Sequence, residues 1–210
     1  MQDYLRVAAA VPPVRPADVP ANLAATRALL EEARARGVDV AVFPELGLTG
    51  YTCADLFLRP ALLDAAADAL AALLASDATR GLVAVVGLPV RVRGRIYNCA
   101  AVLSDGALHG VVPKTCLANA REFYEARWFA SALDADADAV ELAGRTVPFG
   151  ADLVFDLPSG AAFGVELCED LWSPNPPSVR LALGGAHVLL NLSASDELVG
   201  KADYRRDLVA

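Results

Sequence analysis

The chain has 210 residues, enough for one sizeable domain, and 55% of them are hydrophobic against 21% charged, so a large core can form. A formal net charge of −8, with no basic stripe, argues against nucleic acid and against an anionic membrane surface as partners. No apolar run approaches the roughly 20 residues of a membrane-spanning helix. Met1-Gln-Asp-Tyr4 opens with an acid and lacks a long apolar core, so a cytoplasmic protein without a secretory leader is expected.

In chain order, Leu5 to Val11 reads as a first strand closed by Pro12-Pro13. Asp18 or Asn22 can cap a helix from about Asn22 to Arg36, which ends at Gly37. Val38 to Phe43 is a β-branched strand stopped by Pro44-Glu45, and Leu46 to Cys53 is a loop rich in Gly and Thr. A helical turn is expected over Asp55 to Leu58, then an alanine-rich helix from Pro60 to about Ala75. Gly81 to Pro89 reads as a buried strand. Val90 to Arg93 and Ile96 to Leu103 read as a hairpin around Gly94, and Leu108 to Val112 as a further strand.

Phe123 to Phe129 is aromatic and charged, a short helix or ordered loop. Leu133 to Val140 alternates aspartate with alanine. It lacks the Gly and Glu positions of a calcium loop and reads as a solvated acidic loop. Leu153 to Leu157 and Ala162 to Leu167 form a strand pair. Ser178 to Leu183 is helical, Ala186 to Leu192 is a strand, and Lys201 to Ala210 begins a helix. Strands alternating with helices, plus hairpins, imply an α/β sandwich with a mixed sheet.

Cys53, Cys99, Cys116 and Cys168 are scattered without a CxxC pair, which argues against a disulfide framework and against structural zinc. With only His109 and His187, a His-rich metal site is not available.

Three apolar strands end in a reactive side chain: Val42-Phe-Pro-Glu45, Val111-Val-Pro-Lys114 and Val165-Glu-Leu-Cys168. Each alone has a plainer reading, a surface charge for Glu45 or Lys114 and a small buried hydrophobe for Cys168. Together at strand exits, where open α/β sheets gather their ligands, they form a chemical set. A thiol needs a base to become a thiolate, and neither histidine sits beside a strand-end acid. Glu45 can serve as that base, while Lys114 and the amide of Glu169 can hold a developing oxyanion. The expected reaction is attack on an amide-type carbon, loss of ammonia, a thioester, then hydrolysis.

The segments Phe43 to Phe57, Arg121 to Phe129, Gly164 to Trp172, Asn191 to Ser195 and Gly200 to Arg206 resemble the glutaminase domain of glutamine-dependent NAD+ synthetases, within the nitrilase superfamily. The resemblance implies a four-layer αββα sandwich with a Glu45, Lys114, Cys168 triad. It implies that Glu122, eight positions after the lysine, positions the lysine and base, and that Tyr51 sits beside the base. Glu169, Trp172 and Ser195 match positions lining a glutamine pocket. Ala120 stands where the family often carries an aromatic. The family passes its ammonia to a synthetase domain that uses ATP, and it forms homo-oligomers. ATP and magnesium then belong to that domain, and no cofactor is assigned to this chain, which shows no Ser-Gly-Gly-type phosphate loop. Further strands are expected beyond Ala210. The competing readings are another nitrilase-type amidase or carbamoylase acting on a small amide, and an inactive fragment.

Overall fold

A computed structural model describes residues 4–210. The elements follow as β1 (Val7–Ala9), α1 (Val19–Ala35), β2 (Val40–Val42), α2 (Pro60–Leu74), β3 (Val83–Val92), β4 (Arg95–Ser104), β5 (Ala107–Pro113), β6 (Ala139–Leu142), β7 (Arg145–Pro148), β8 (Val154–Asp156), β9 (Ala162–Leu167), α3 (Pro177–Leu183), β10 (Val188–Leu192) and α4 (Lys201–Val209). Among the described residues no helix is long and apolar enough to cross a membrane.

One sheet has the order β1-β2-β3-β4-β5, parallel from β1 to β3 and antiparallel from β3 to β5. β2, β3 and β5 therefore run the same way and leave the sheet at one edge. A second sheet, β10-β9-β8, pairs β10 parallel and β8 antiparallel to β9. The β6-β7 hairpin is separate and reaches β5 through a bridge from Val111 to Phe149.

The alternation of side chains across each strand builds the layers. Ala84, Val86, Leu88, Ala101 and Leu103 face α1 and α2 in one apolar cluster. Val40, Val85, Ala100, Val102 and Val112 face the other way, onto Phe163, Val165, Leu167 and Leu190. That second cluster is the sheet-on-sheet interface. Each fully buried Leu or Phe there contributes roughly 1.5–3 kcal/mol. The opposite face of β9 carries α3: a Cβ on Gly164 would come within 2.8 Å of Leu181, so only glycine lets that helix seat. The result is a helix layer, two sheets and a helix layer, the αββα sandwich with mixed sheets.

Several boundaries shift from the sequence expectation. Asp18 caps α1 by accepting the Ala21 amide at 3.2 Å. Asn22 is instead buried inside the helix, where its side chain bonds Arg15 and Leu48. β3 is one ten-residue strand with Pro89 inside it. Its pairing with β2 ends at Val85, so the missing N–H of Pro89 costs no ladder bond on that side. The acidic loop ends earlier than expected, because Ala139–Leu142 pairs with Arg145–Pro148 as a hairpin.

Candidate active site

The edge where β2, β5, β9 and β10 terminate gathers the reactive groups. Glu45 follows β2 after Phe43-Pro44, Lys114 follows β5 directly, and Cys168 follows β9 directly. The Lys114 ammonium is fully buried and donates to Glu45 Oε1 at 2.6 Å and to Glu125 Oε1 at 2.7 Å. Burial opposes the charge on Lys114, but the two carboxylates outweigh it and its pKa is raised. The second carboxylate is thus Glu125, not Glu122. Glu125 sits on a single 3-10 turn, Glu125–Arg127, and also accepts the Ala118 amide at 3.2 Å and the Tyr51 hydroxyl at 2.7 Å. Glu122 stays exposed near Asp196. The chain doubles back between Ala118 and Glu125, whose amide donates to the Ala118 carbonyl, and this return aims Glu125 inward. Burial raises the Glu125 pKa against the pull of Lys114. Burial and the charge of Glu125 push the Tyr51 phenol well above its ordinary value, so it remains a donor.

Glu45 is held on every side. Its Oε1 also accepts Asn98 Nδ2 at 2.7 Å, and its Oε2 accepts the Ala194 amide at 3.1 Å. Asn98, fully buried in β4, also accepts the Lys114 backbone amide on its carbonyl at 2.8 Å, so it fixes base and lysine at once. Sequence reasoning missed Asn98, although a polar residue inside the apolar run of β4 was a signal. It missed Gly87 as well. A Cβ there would lie 2.4 Å from both the Leu46 nitrogen and the Pro44 oxygen, so only glycine allows the Glu45 turn to rest on β3. Leu46 takes the left-handed conformation, with φ 52°.

Cys168 opens the 3-10 turn Cys168–Trp172 with φ 44°, a left-handed conformation that costs energy for a residue bearing a Cβ. Burial first, then the charge of Glu45, raise its thiol to about 12. Lys114, the Ala194 amide and the Ser193 hydroxyl pull the other way. Both charged groups therefore act on the sulfur. The resting side chain is a thiol, and it requires an adjacent base to react near neutrality.

Cys168 lines a cavity of about 450 Å³ together with Glu169, Trp172, Ser195, Ala120 and Glu122. Arg121, Asp196 and Lys201 add both signs of charge to its wall, and Lys201 pairs with Asp196. Trp172 stacks on Tyr204 of α4 at 5.5 Å and 6°. A larger hollow of about 590 Å³ lies under α4 and shares Trp172 and Ser195; Ser193 and Ala194 line it, but Cys168, Glu45 and Lys114 do not. Tyr51 lies outside the thiol cavity and joins the site through Glu125.

The model of the carbon-nitrogen hydrolase family matches residues 6–209. Among curated proteins, the glutamine-dependent NAD(+) synthetase of Mycobacterium bovis is 45% identical over 206 residues, covering 97% of this chain and 30% of that protein. The synthetase of the same name from Mycobacterium leprae is 40% identical over 207 residues, again 30% of its length. Among solved structures, a glutamine-dependent NAD(+) synthetase from Cytophaga hutchinsonii superposes with a TM-score of 0.86 at 31% identity, over 98% of this chain and 33% of that one. This chain therefore spans about a third of the length of the synthetases it matches. An amidase from Nesterenkonia sp., at 20% identity and a TM-score of 0.71, shares the fold.

Proposed function

The chain belongs to the carbon-nitrogen hydrolase family, and from that premise we propose that residues 1–210 are a nitrilase-like glutaminase domain. It hydrolyses the side-chain amide of glutamine through a Cys168 thioester. The observation that carries this reading is the buried Glu45–Lys114–Glu125 cluster acting on a thiol that faces a cavity. The choice of glutamine rests on the printed names of the relatives.

The chemistry runs in two halves. Glu45 takes the thiol proton, and the thiolate attacks the amide carbon. The oxyanion that forms is held by the Lys114 ammonium and the Glu169 amide. Glu45 returns the proton to the leaving nitrogen, the C–N bond breaks, and ammonia departs, leaving the thioester. Water then gives a proton to Glu45 and attacks the thioester. The C–S bond breaks, glutamate forms, and the proton passes back to the sulfur. The three acceptor bonds on Glu45 keep it aimed through both halves.

The released ammonia serves ATP-dependent NAD+ synthesis in a synthetase domain of a longer polypeptide, in a cytoplasmic homo-oligomer. ATP and magnesium belong to that domain, and this chain needs no cofactor for the steps above. The test is ammonia release from glutamine and from a panel of small amides and carbamoyl compounds. Wild type should prefer glutamine, and Cys168→Ala should lose about 10³-fold or more in kcat while keeping its fold. Release by that variant at the wild-type rate, or preference for another amide, overturns the reading.

A further inference from the structure

Asp170 stands on the turn that carries Cys168 and is 1% exposed, yet it does not line the thiol cavity. Its Oδ1 accepts the amides of Thr115 at 3.1 Å and Cys116 at 2.6 Å. Its Oδ2 accepts the Leu167 amide at 3.0 Å and lies 3.5 Å from the Thr115 nitrogen. These donors belong to two segments: the two residues directly after Lys114, and the residue directly before Cys168. One segment leaves β5 in the first sheet, the other leaves β9 in the second. A single carboxylate thus fastens the strand exit bearing the ammonium to the strand exit bearing the sulfur.

We propose that Asp170 is a positioning residue whose carboxylate sets the spacing between Lys114 and Cys168. Three backbone N–H groups converge on two acceptor oxygens, which only a carboxylate supplies. An asparagine has one acceptor oxygen, and its NH2 would face a third N–H. One side of the clamp then opens while side-chain volume stays constant. Because Lys114 favours the thiolate electrostatically, a looser clamp weakens that help. The proposal rests on the reading that Lys114 and Cys168 act on one amide. Thiol labelling needs no substrate, so it separates failure of the clamp from failure of the glutamine reading.

The test uses the whole chain carrying Asp170→Asn, held well below its unfolding midpoint so that both proteins are fully folded. Iodoacetamide labelling of Cys168 at fixed pH should slow by about threefold or more, the effect of a half-unit rise in thiol pKa. With glutamine, kcat should fall about tenfold while KM stays within about threefold, because the lost interaction lies along the oxyanion and not the bound amide. Unchanged labelling, or a rise in KM with kcat intact, overturns the proposal. Should Asp170→Asn fail to fold, Asp170→Glu decides by the same two readings. It keeps the charge but lengthens the clamp by one methylene, and wild-type labelling and kcat in that variant would overturn the proposal as well.

Discussion

Glu125 Oε1 lies 2.7 Å from the Lys114 ammonium, while Glu122, three residues earlier, remains at the cavity rim. Glu125→Gln should therefore cripple turnover, by about 10²-fold in kcat, because Lys114 loses one of its two carboxylates. It should also destabilise the fold, towards the 3–5 kcal/mol typical of breaking a buried pair, with Glu45 still moderating the loss. Glu122→Gln should leave stability within about 0.5 kcal/mol, its effect falling on KM. Urea unfolding and steady-state kinetics check both. Equal kcat losses in the two variants would remove the distinction.

Gly87→Ala should damage the base without touching it chemically. The new Cβ would overlap the Pro44 oxygen and the Leu46 nitrogen, both backbone atoms in a packed turn. Overpacking of this kind costs typically 1–3 kcal/mol, and the strain falls on the residues either side of Glu45. The expected outcome is a clear drop in kcat with a lowered unfolding midpoint. A stable, fully active Gly87→Ala protein would show that the turn has room.

The thiol raised to about 12 gives a pH prediction with a definite sign. Burial and the Glu45 charge both disfavour thiolate, so alkylation of Cys168 by iodoacetamide should climb steadily from pH 7 through pH 10 without a plateau. Glu45→Gln removes the repelling charge, leaves Lys114 in place and lowers the thiol pKa. Labelling at pH 8 should then accelerate while amide hydrolysis stops. If labelling slows instead at every pH, proton removal by Glu45 outweighs its repulsion.

Asp55 accepts Arg127 Nε at 2.6 Å, Arg127 Nη2 at 2.8 Å and Trp128 Nε1 at 2.9 Å, and these donors hold its carboxyl well below the usual range. Phe57 packs against Trp128 and Phe129 nearby. These contacts pin the turn that presents Glu125. Asp55→Ala should barely move the unfolding midpoint, since the ion pair is exposed to solvent. It should, however, cut turnover several-fold and speed hydrogen exchange at the Trp128 and Phe129 amides, which bond the Glu125 carbonyl. Unaltered exchange would place Asp55 outside the support of the site.

Much of the fold was legible because alternation and breakers agree along the chain. The β-branched runs, Gly94 and the stop at Pro44 mark the strands, while Pro89 lies inside β3, and the residues at the strand exits could be named. Glu125 was not legible: counting positions from Lys114 says nothing about a segment that doubles back on itself, where through-space distance follows the Ala118–Glu125 bond. The β6-β7 hairpin was missed because its charged residues, Glu141 and Arg145, resemble the acidic loop before it, although Ala143-Gly144 carried a turn signal. Asn98 stood out as a polar residue inside the apolar run of β4, but nothing in the run says what it bonds. Its role appears only when β4 is set beside β5 and the β2 exit.

The bond from the Ala194 amide to Glu45 spans 149 residues, and the Lys114–Glu45 pair spans 69. The Lys114–Glu125 bond spans only 11 residues, so the longest-range contacts of this centre are those that seat the base. Closing loops of 69 and 149 residues costs entropy before any contact repays it, which slows the search for the native state. A partly collapsed chain therefore holds a cysteine without its base, and the Glu45–Lys114 arrangement exists only once these contacts are made.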